Sequence, residues 1–279
     1  MTAPPGLVVR TPGSSANLGA GFDVFGMAVD LYADLGLGEA PHDAHPIDDH
    51  HPARIAFHRL GGSGPVWMRT NIPMARGLGF SGAVRVGAAA LAVAQSGRSI
   101  AECDADIIGV AGELEGHGDN AAASLHGGVV AWVQGRAIPF RVGPVLGGAA
   151  VVAWVPDVTT STDASRLVLA DVVDRADAVH NIGRATQFAL AFAHDDPTLL
   201  VDATSDLLHQ ASRLPRVPGA VEAMEAGAAA GAWCSWLSGS GPTVALFAPV
   251  DVADAVAAAL PRGGHTKLLS IDPLGARVL

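Results

Sequence analysis

Pro73-Met74-Ala75-Arg76-Gly77-Leu78-Gly79-Phe80-Ser81-Gly82 is the stretch from which the rest of the chain is best read. Before it, Pro65 to Thr70 has the apolar content of a short strand; after it, Ser81 to Gln95 is an Ala- and Val-dominated helix. Glycines at such a junction let backbone amides turn toward a ligand, and the start of the helix adds unpaired N–H groups and the positive end of its dipole. That combination suits a polyphosphate without any lysine, with Ser81 offering its hydroxyl to a phosphate-bound magnesium ion. Taken alone, the same residues also describe a tight strand-to-helix turn capped by a serine.

Composition narrows the possibilities. The chain has 279 residues, 49% hydrophobic and 16% charged, which excludes a disordered protein. Acidic residues outnumber basic ones 27 to 17, for a net charge of -10, so a general affinity for nucleic acid or anionic membrane is not expected. Lys267 is the sole lysine. Its isolation excludes the Walker A loop, the protein-kinase strand lysine and most Schiff-base sites. Cys103 and Cys234 have neither disulfide-framework nor zinc spacing, and a reducing cytoplasm is the expected compartment. Met1 to Pro12 lacks signal-peptide features. Ala226 to Val250 carries no charge, yet Ser238-Gly239-Ser240-Gly241-Pro242 breaks any helix through it, so no membrane span is expected.

Elsewhere, alternating Val29, Leu31, Ala33, Leu35 and Leu37 predict a strand running into a Pro-, Asp- and His-rich loop over 36–52. Ser99 and Glu102 form a capping box for a helix reaching about Glu115. Gly128 to Gln134 and Ala149 to Val155 predict strands. Helices follow at Thr162 to Leu169, Arg175 to Ala193, Thr198 to Gln210, Ala220 to Ala230 and Val252 to Leu260, with strands at Thr243 to Phe247 and Lys267 to Ile271. This mixture, lacking regular βαβ alternation, predicts an α+β fold of two subdomains, residues 1–148 and 149–279.

Three further segments carry chemistry. Glu113-Leu114-Glu115-Gly116-His117-Gly118-Asp119-Asn120 gathers carboxylates, a histidine and an amide at a helix end, where Gly116 is a natural C-cap. Magnesium takes hard oxygen ligands and commonly one or two carboxylates beside substrate phosphates. Ser238-Gly239-Ser240-Gly241-Pro242-Thr243 is either a plain hairpin or a close backbone approach to a ligand. Pro12 to Asp23, small residues punctuated by Asn17 and Asp23, reads as a loop able to approach a small molecule.

Together these motifs resemble those of the GHMP kinases, the family of galactokinase, homoserine kinase and mevalonate kinase. Gly77-Leu78-Gly79 with Ser81 is similar to the family's lysine-free Pro-x-x-x-Gly-Leu-Gly-Ser-Ser loop. The homoserine kinase pattern is similar to Ser14-Ser15-Ala16-Asn17-Leu18-Gly19 with Gly21-Phe22-Asp23, to Glu115-Gly116-His117 with Asp119-Asn120, to Ser161-Thr162 with Arg166, to Asp177-Ala178-Val179 with Asn181, and to Leu208-His209 with Arg213. The resemblance runs from about residue 11 to 243. It implies a ribosomal protein S5 domain 2-like N-terminal half that binds ATP and a ferredoxin-like C-terminal half.

The resemblance also implies roles. Arg76, Gly77, Leu78, Gly79, Ser81 and Gly82 would bind the ATP phosphates, with Ser81 and Glu113 on Mg2+ and Glu115 competing for that place. Asn17, Asp23, His117 and Asn120 would surround the amino and hydroxyl groups of a small-molecule substrate. Arg166 and Arg213 would hold its carboxylate, a task suited to the planar guanidinium. Asn120, Asp23 and Thr162 are the expected catalytic residues; Thr162, four residues before Arg166, shares its helical face. The activity implied is transfer of the ATP γ-phosphoryl group to L-homoserine, in threonine biosynthesis, with a homodimer as the assembly the family suggests.

Residue-level alternatives stand beside this. Arg166 and Arg213 could pair with Asp163 or Asp206, and the cluster of Asp43, His45, Asp48, Asp49, His50 and His51 reads as a solvated loop. Phe80 and Gly82 replace the family's serine and alanine, and the segment between Asp23 and Gly77 is short, leaving His51 to Leu60 to stand in for part of the adenine pocket. The alternatives in function are a kinase for another small hydroxy acid or amino alcohol, and a ligand-binding member of the fold.

Overall fold

The computed structural model describes residues 6–279, apart from the side chain of Asp163. Strands β1 (Val8–Ala16), β2 (Phe25–Leu37), β3 (His45–Pro46), β4 (Val66–Thr70), β5 (Val129–Val133) and β6 (Arg136–Pro139) form one sheet. Strands β7 (Ala150–Pro156), β8 (Cys234–Leu237), β9 (Val244–Ala248) and β10 (Gly264–Ser270) form a second, antiparallel in the order β10-β7-β9-β8. The last strand, β11 (Arg277–Val278), returns to the first sheet beside β1. The fold is α+β with two sheets.

Helices α1 (Pro52–Arg59), α2 (Phe80–Gln95), α3 (Asp104–Glu115) and α4 (Asp119–His126) belong to the first half. The short α5 (Pro144–Gly147) precedes the second sheet, and α6 (Thr162–Arg166), α7 (Arg175–His194), α8 (Gln210–Arg213), α9 (Ala220–Ala229) and α10 (Ala253–Ala259) follow its first strand. The centre of the first half is α2. Its small Ala, Val and Gly side chains let it lie close against β1 and β2 and touch α1, α3 and α4, burying almost everything from Gly82 to Val93. No helix among the described residues is long and apolar enough to cross a membrane.

Four expectations change. The helix predicted over Thr198 to Gln210 is a 3-10 turn at Pro197–Leu200, irregular chain and then α8. Asp206 explains the break: its carboxylate accepts the backbone N–H groups of Leu208, His209 and Gln210, so the side chain competes with a helical ladder. The Ser99–Glu102 capping box does not form, and the helix opens on a 3-10 turn at Ala101–Cys103 without a side-chain cap. The helix expected to reach Leu169 ends at Arg166. Residues 12–16 are strand rather than loop, paired along β2, and the loop begins at Asn17, where Asn17, Leu18 and Asp23 take positive φ. The sequence pattern does not mark the strands β3, β6, β8 and β11 or the helices α1, α4 and α5.

Asp34 on β2 ties three strands together. It accepts from Arg10 on β1 at 2.7 Å and from Arg69 on β4 at 3.0 Å, with its own side chain only 4% exposed. Burial pushes its carboxyl up, but the two arginine hydrogen bonds outweigh that and hold it below the ordinary range. A carboxylate depressed in the folded state contributes stability above its unfolded value of about 4, and that contribution disappears as pH falls through the folded value. Asp34→Asn is therefore expected to lower the neutral-pH melting temperature by about 5 °C. It should also flatten the acid limb of melting temperature against pH, measured from pH 7 down to 2.

Candidate active site

The 73–82 segment is a turn between β4 and α2 that delivers a helix N-terminus into a cleft. Ala75, Gly77 and Gly79 all have positive φ, 54°, 70° and 69°, and Gly79 is the N-cap of α2 without any side-chain cap bond. A Cβ on Gly77 would collide with the backbone oxygen of Ser238, and one on Gly79 with Ser14. Glycine is required by geometry at both places. The first amides of α2 are thus left for a ligand, with the dipole's positive end behind them and no acidic residue in the first turn.

What holds this turn is a directed relay of hydroxyls. Ser238 Oγ donates to Gly77 O at 2.6 Å, which spends its one proton. Ser15 must therefore donate across the 2.7 Å contact to Ser238 Oγ, and Ser15 Oγ in turn accepts from Trp236 Nε1 at 2.8 Å. Gly239 N bonds Ala16 O and Asn17 Nδ2 bonds Gly239 O, while Ser14 N reaches Leu78 O. The turn after β8, the end of β1 and the glycine turn before α2 are thereby sewn into one wall.

The residues expected at the phosphate end line this cleft: Arg76, Gly77, Leu78, Gly79 and Ser81, joined by Phe80. Phe80 is half-buried, its ring packed against the main core. Gly82 lies just behind, against Asn120. Glu113 is elsewhere. It faces solvent and pairs with Arg59 at 2.9 Å, because two residues along α3 turn the side chain by about 200°. The carboxylate inside is Glu115, next to Ser81 and Arg85. Its burial pushes it above the ordinary carboxylate range, and its Oε2 has no partner.

The opposite end gathers Asn17, Asp23, His117, Asn120, Thr162, Arg166 and Arg213, all lining the same cleft. Asn17 is engaged in building the wall, accepting from Asp23 N as well as donating to Gly239. Asp23 takes a two-pronged bond from Arg166, at 2.8 and 3.0 Å. Asp163, weighed as a partner for Arg166, lies outside the described side chains. His117 Nδ1 bonds Asp119 Oδ1 at 2.7 Å. Burial lowers its basicity, yet the Asp119 bond and the charges of Asp119 and Glu115 outweigh that and raise it above the ordinary histidine value. Ser14 Oγ bonds Asn120 Oδ1 at 2.9 Å, so the amide NH2 is the end of Asn120 left for a ligand.

Arg213 is only 3% exposed, and among the described residues no carboxylate lies in ion-pair reach of it. Asp206, the partner considered from sequence, is occupied with backbone amides and Asn181. Instead Arg213 donates to His209 Nδ1, whose Nε2 donates to Gly19 O at 3.0 Å. Burial holds His209 below the ordinary histidine value, which fits a neutral ring accepting at Nδ1. Phe22 stacks on His209 and lies under Arg213, 5.3 Å from ring centre to guanidinium carbon.

Comparison with known proteins gives the family and the fold. Residues 52–128 match the model of the GHMP kinase N-terminal domain. The chain is 38% identical to a homoserine kinase of Moorella thermoacetica, over 92% of this chain and 93% of that one. It is 34% identical to a homoserine kinase of Desulfitobacterium hafniense, over 97% and 99%. It belongs to the GHMP kinase family, among the homoserine kinase homologues. The crystal structure of homoserine kinase from Cytophaga hutchinsonii superposes on this GHMP kinase with a TM-score of 0.85 at 22% identity, covering 100% and 99% of the two chains, and so shares its fold. As a GHMP kinase, the chain is an ATP-dependent small-molecule kinase.

The sole lysine, Lys267 on β10, is not among the cleft residues. The helix α1, which includes most of the 51–60 segment, packs Ala53, Ala56 and Phe57 inward against α2 and contributes none of the cleft lining. The acidic and histidine loop over 43–51 bonds its own neighbours, Arg69 to Asp43 and Arg54 to Asp49. Ser238→Ala is expected to leave Gly77 O and the Ser15 hydroxyl unmatched, at a cost of about 1–3 kcal/mol. Thermal melting should report that as a fall of about 3–10 °C. Steady-state kinetics should show a several-fold higher KM for ATP with a smaller change in KM for the acceptor.

Proposed function

We propose that this GHMP kinase transfers the γ-phosphoryl group of ATP to the side-chain hydroxyl of L-homoserine. The observation that carries the choice of acceptor is Arg213, a buried guanidinium in the cleft wall with no carboxylate partner among the described residues. A buried charge without a counter-ion is costly, and an amino acid's carboxylate relieves that cost with paired hydrogen bonds. Asp23, His117 and Asp119 bring their polar atoms within 4.8 Å of one another. With His117 bound to Asp119, the carboxylates of this group suit the substrate ammonium. The name shared by the curated relatives, homoserine kinase, supports the same acceptor.

ATP phosphates would lie on the amides of Gly77, Leu78 and Gly79 and the start of α2, with Arg76 at the mouth. Ser81 Oγ and Glu115 fit Mg2+: both are hard oxygen donors, and Glu115 Oε2 is buried without a hydrogen-bond partner while Arg85 reaches only Oε1. When bound there, Mg2+ neutralises negative charge on the phosphates. Asn120 directs its NH2 to the acceptor hydroxyl from the start of α4, next to Gly82. Asp119 Oδ1 already accepts from His117 and from Asn120 N. That leaves positioning, rather than a strong general base, as the main source of rate. Thr162, exposed at the rim opposite Ser240, closes the acceptor side next to Arg166.

Kinetics with matched acceptors test the assignment. Arg213→Ala should raise KM for L-homoserine by about 10- to 100-fold, the loss of one charged hydrogen-bonding contact, with kcat little changed. The wild type should discriminate strongly against 3-aminopropan-1-ol, which lacks the carboxylate, and Arg213→Ala should erase that discrimination. An unchanged KM for L-homoserine sinks the carboxylate role. Glu115→Gln should lower kcat/KM by about 100-fold or more, as expected for lost electrostatic stabilisation, whereas Glu113→Gln stays within about twofold of wild type.

A further inference from the structure

Arg85 is the one charged residue in α2, a helix otherwise made of Ala, Val, Gly, Leu, Phe, Ser and Gln. It stands four residues after Ser81, on the same face, and its side chain is 13% exposed. Its Nη1 donates to Ser81 Oγ and lies 3.4 Å from Glu115 Oε1. Both Arg85 Nε and Glu115 Oε2 are buried without a partner. The guanidinium thus uses one nitrogen to hold the two side chains assigned above to the metal. It leaves a carboxylate oxygen unmatched, and Arg85 itself is not part of the cleft wall. A buried ion pair gains little net stability over apolar packing, so its place in an apolar helix calls for another role.

We propose that Arg85 is an internal counter-cation for the Ser81–Glu115 oxygen pair, holding the pair when no divalent ion is bound and yielding it when one arrives. This rests on the assignment of Ser81 and Glu115 to Mg2+. Without the metal, Arg85 neutralises Glu115 and keeps Ser81 turned toward it. With the metal, a second cation enters the same two-oxygen site, so the two positive charges compete for the same lone pairs. Arg85 then sets how much divalent ion is needed before the nucleotide binds well. It is a positioning residue, acting through Ser81 and Glu115 rather than on the phosphates.

The test is ADP affinity by calorimetry across a series of Mg2+ concentrations, together with melting temperature in EDTA, for wild type, Arg85→Met, Arg85→Gln and Arg85→Lys. Arg85→Met should reach half its Mg2+ effect at about tenfold lower Mg2+, inside the roughly 5- to 150-fold span common for coupled sites. In EDTA it should melt below wild type, and the gap should narrow with Mg2+ and ADP. Arg85→Lys, which keeps a cation, should stay within about threefold of wild type. Should Arg85→Met fail to fold, Arg85→Gln, neutral but able to hydrogen-bond, gives the same comparison. A half-effect that is unchanged or shifts to higher Mg2+ in the neutral variants overturns the inference and leaves the kinase assignment standing. Absence of any Mg2+-dependent ADP binding in wild type overturns the metal assignment and the inference together.

Discussion

The contact on which the rest of the molecule depends is the buried hydroxyl relay from Trp236 through Ser15 and Ser238 to the carbonyl of Gly77. Each hydroxyl has one proton, and the chain of donors runs in one direction only, ending on the backbone of the glycine turn. Such bonds are each worth only about 1 kcal/mol net, but breaking one strands its buried neighbours. Their position matters more than their sum. They join the first sheet at β1 to the second at β8, and with the Ser14–Leu78 backbone bond they hold the positive-φ glycine turn in place. The uncapped N-terminus of α2 starts from the turn that this seam holds.

Charge is placed locally in a protein whose overall balance is acidic. With net charge of -10 and its one lysine outside the cleft, attraction of an anion cannot come from the general field. Arg213 supplies positive charge at the acceptor end, fixed by a neutral His209 and an aromatic floor at Phe22. Arg166 balances Asp23 across the cleft mouth. At the glycine-turn end the positive charge comes from a helix dipole, from Arg76 and from Arg85 beside Glu115. The two ends differ in kind: a helix N-terminus at one, a buried guanidinium at the other.

Much of this was legible in the sequence, for identifiable reasons. Gly77, Gly79 and Ser81 alone read equally as a capped strand-to-helix turn, and they stood out only together with the family's other spaced motifs. The family's spaced motifs located Asp23, His117, Asn120, Arg166 and Arg213, which the fold brings into one cleft. Glu113 was misplaced by a matter of helical phase: both it and Glu115 fit the motif, and only the orientation of α3 separates them. The supposed 198–210 helix failed because Asp206 binds backbone amides that a helix needs. The contacts of Arg85 were not legible because its partner Glu115 is thirty residues away, nor those of Ser15 and Ser238, because each means little until the two sheets meet.

The central claim is that the glycine turn and the arginine-lined end form one phosphoryl-transfer site for an amino-acid alcohol. The most direct measurement is 31P NMR of the protein incubated with MgATP and L-homoserine. The account predicts loss of the ATP γ resonance matched by ADP and by a phosphomonoester signal split by the adjacent methylene protons. Persistence of ATP unchanged, or conversion to ADP and inorganic phosphate alone, would contradict it.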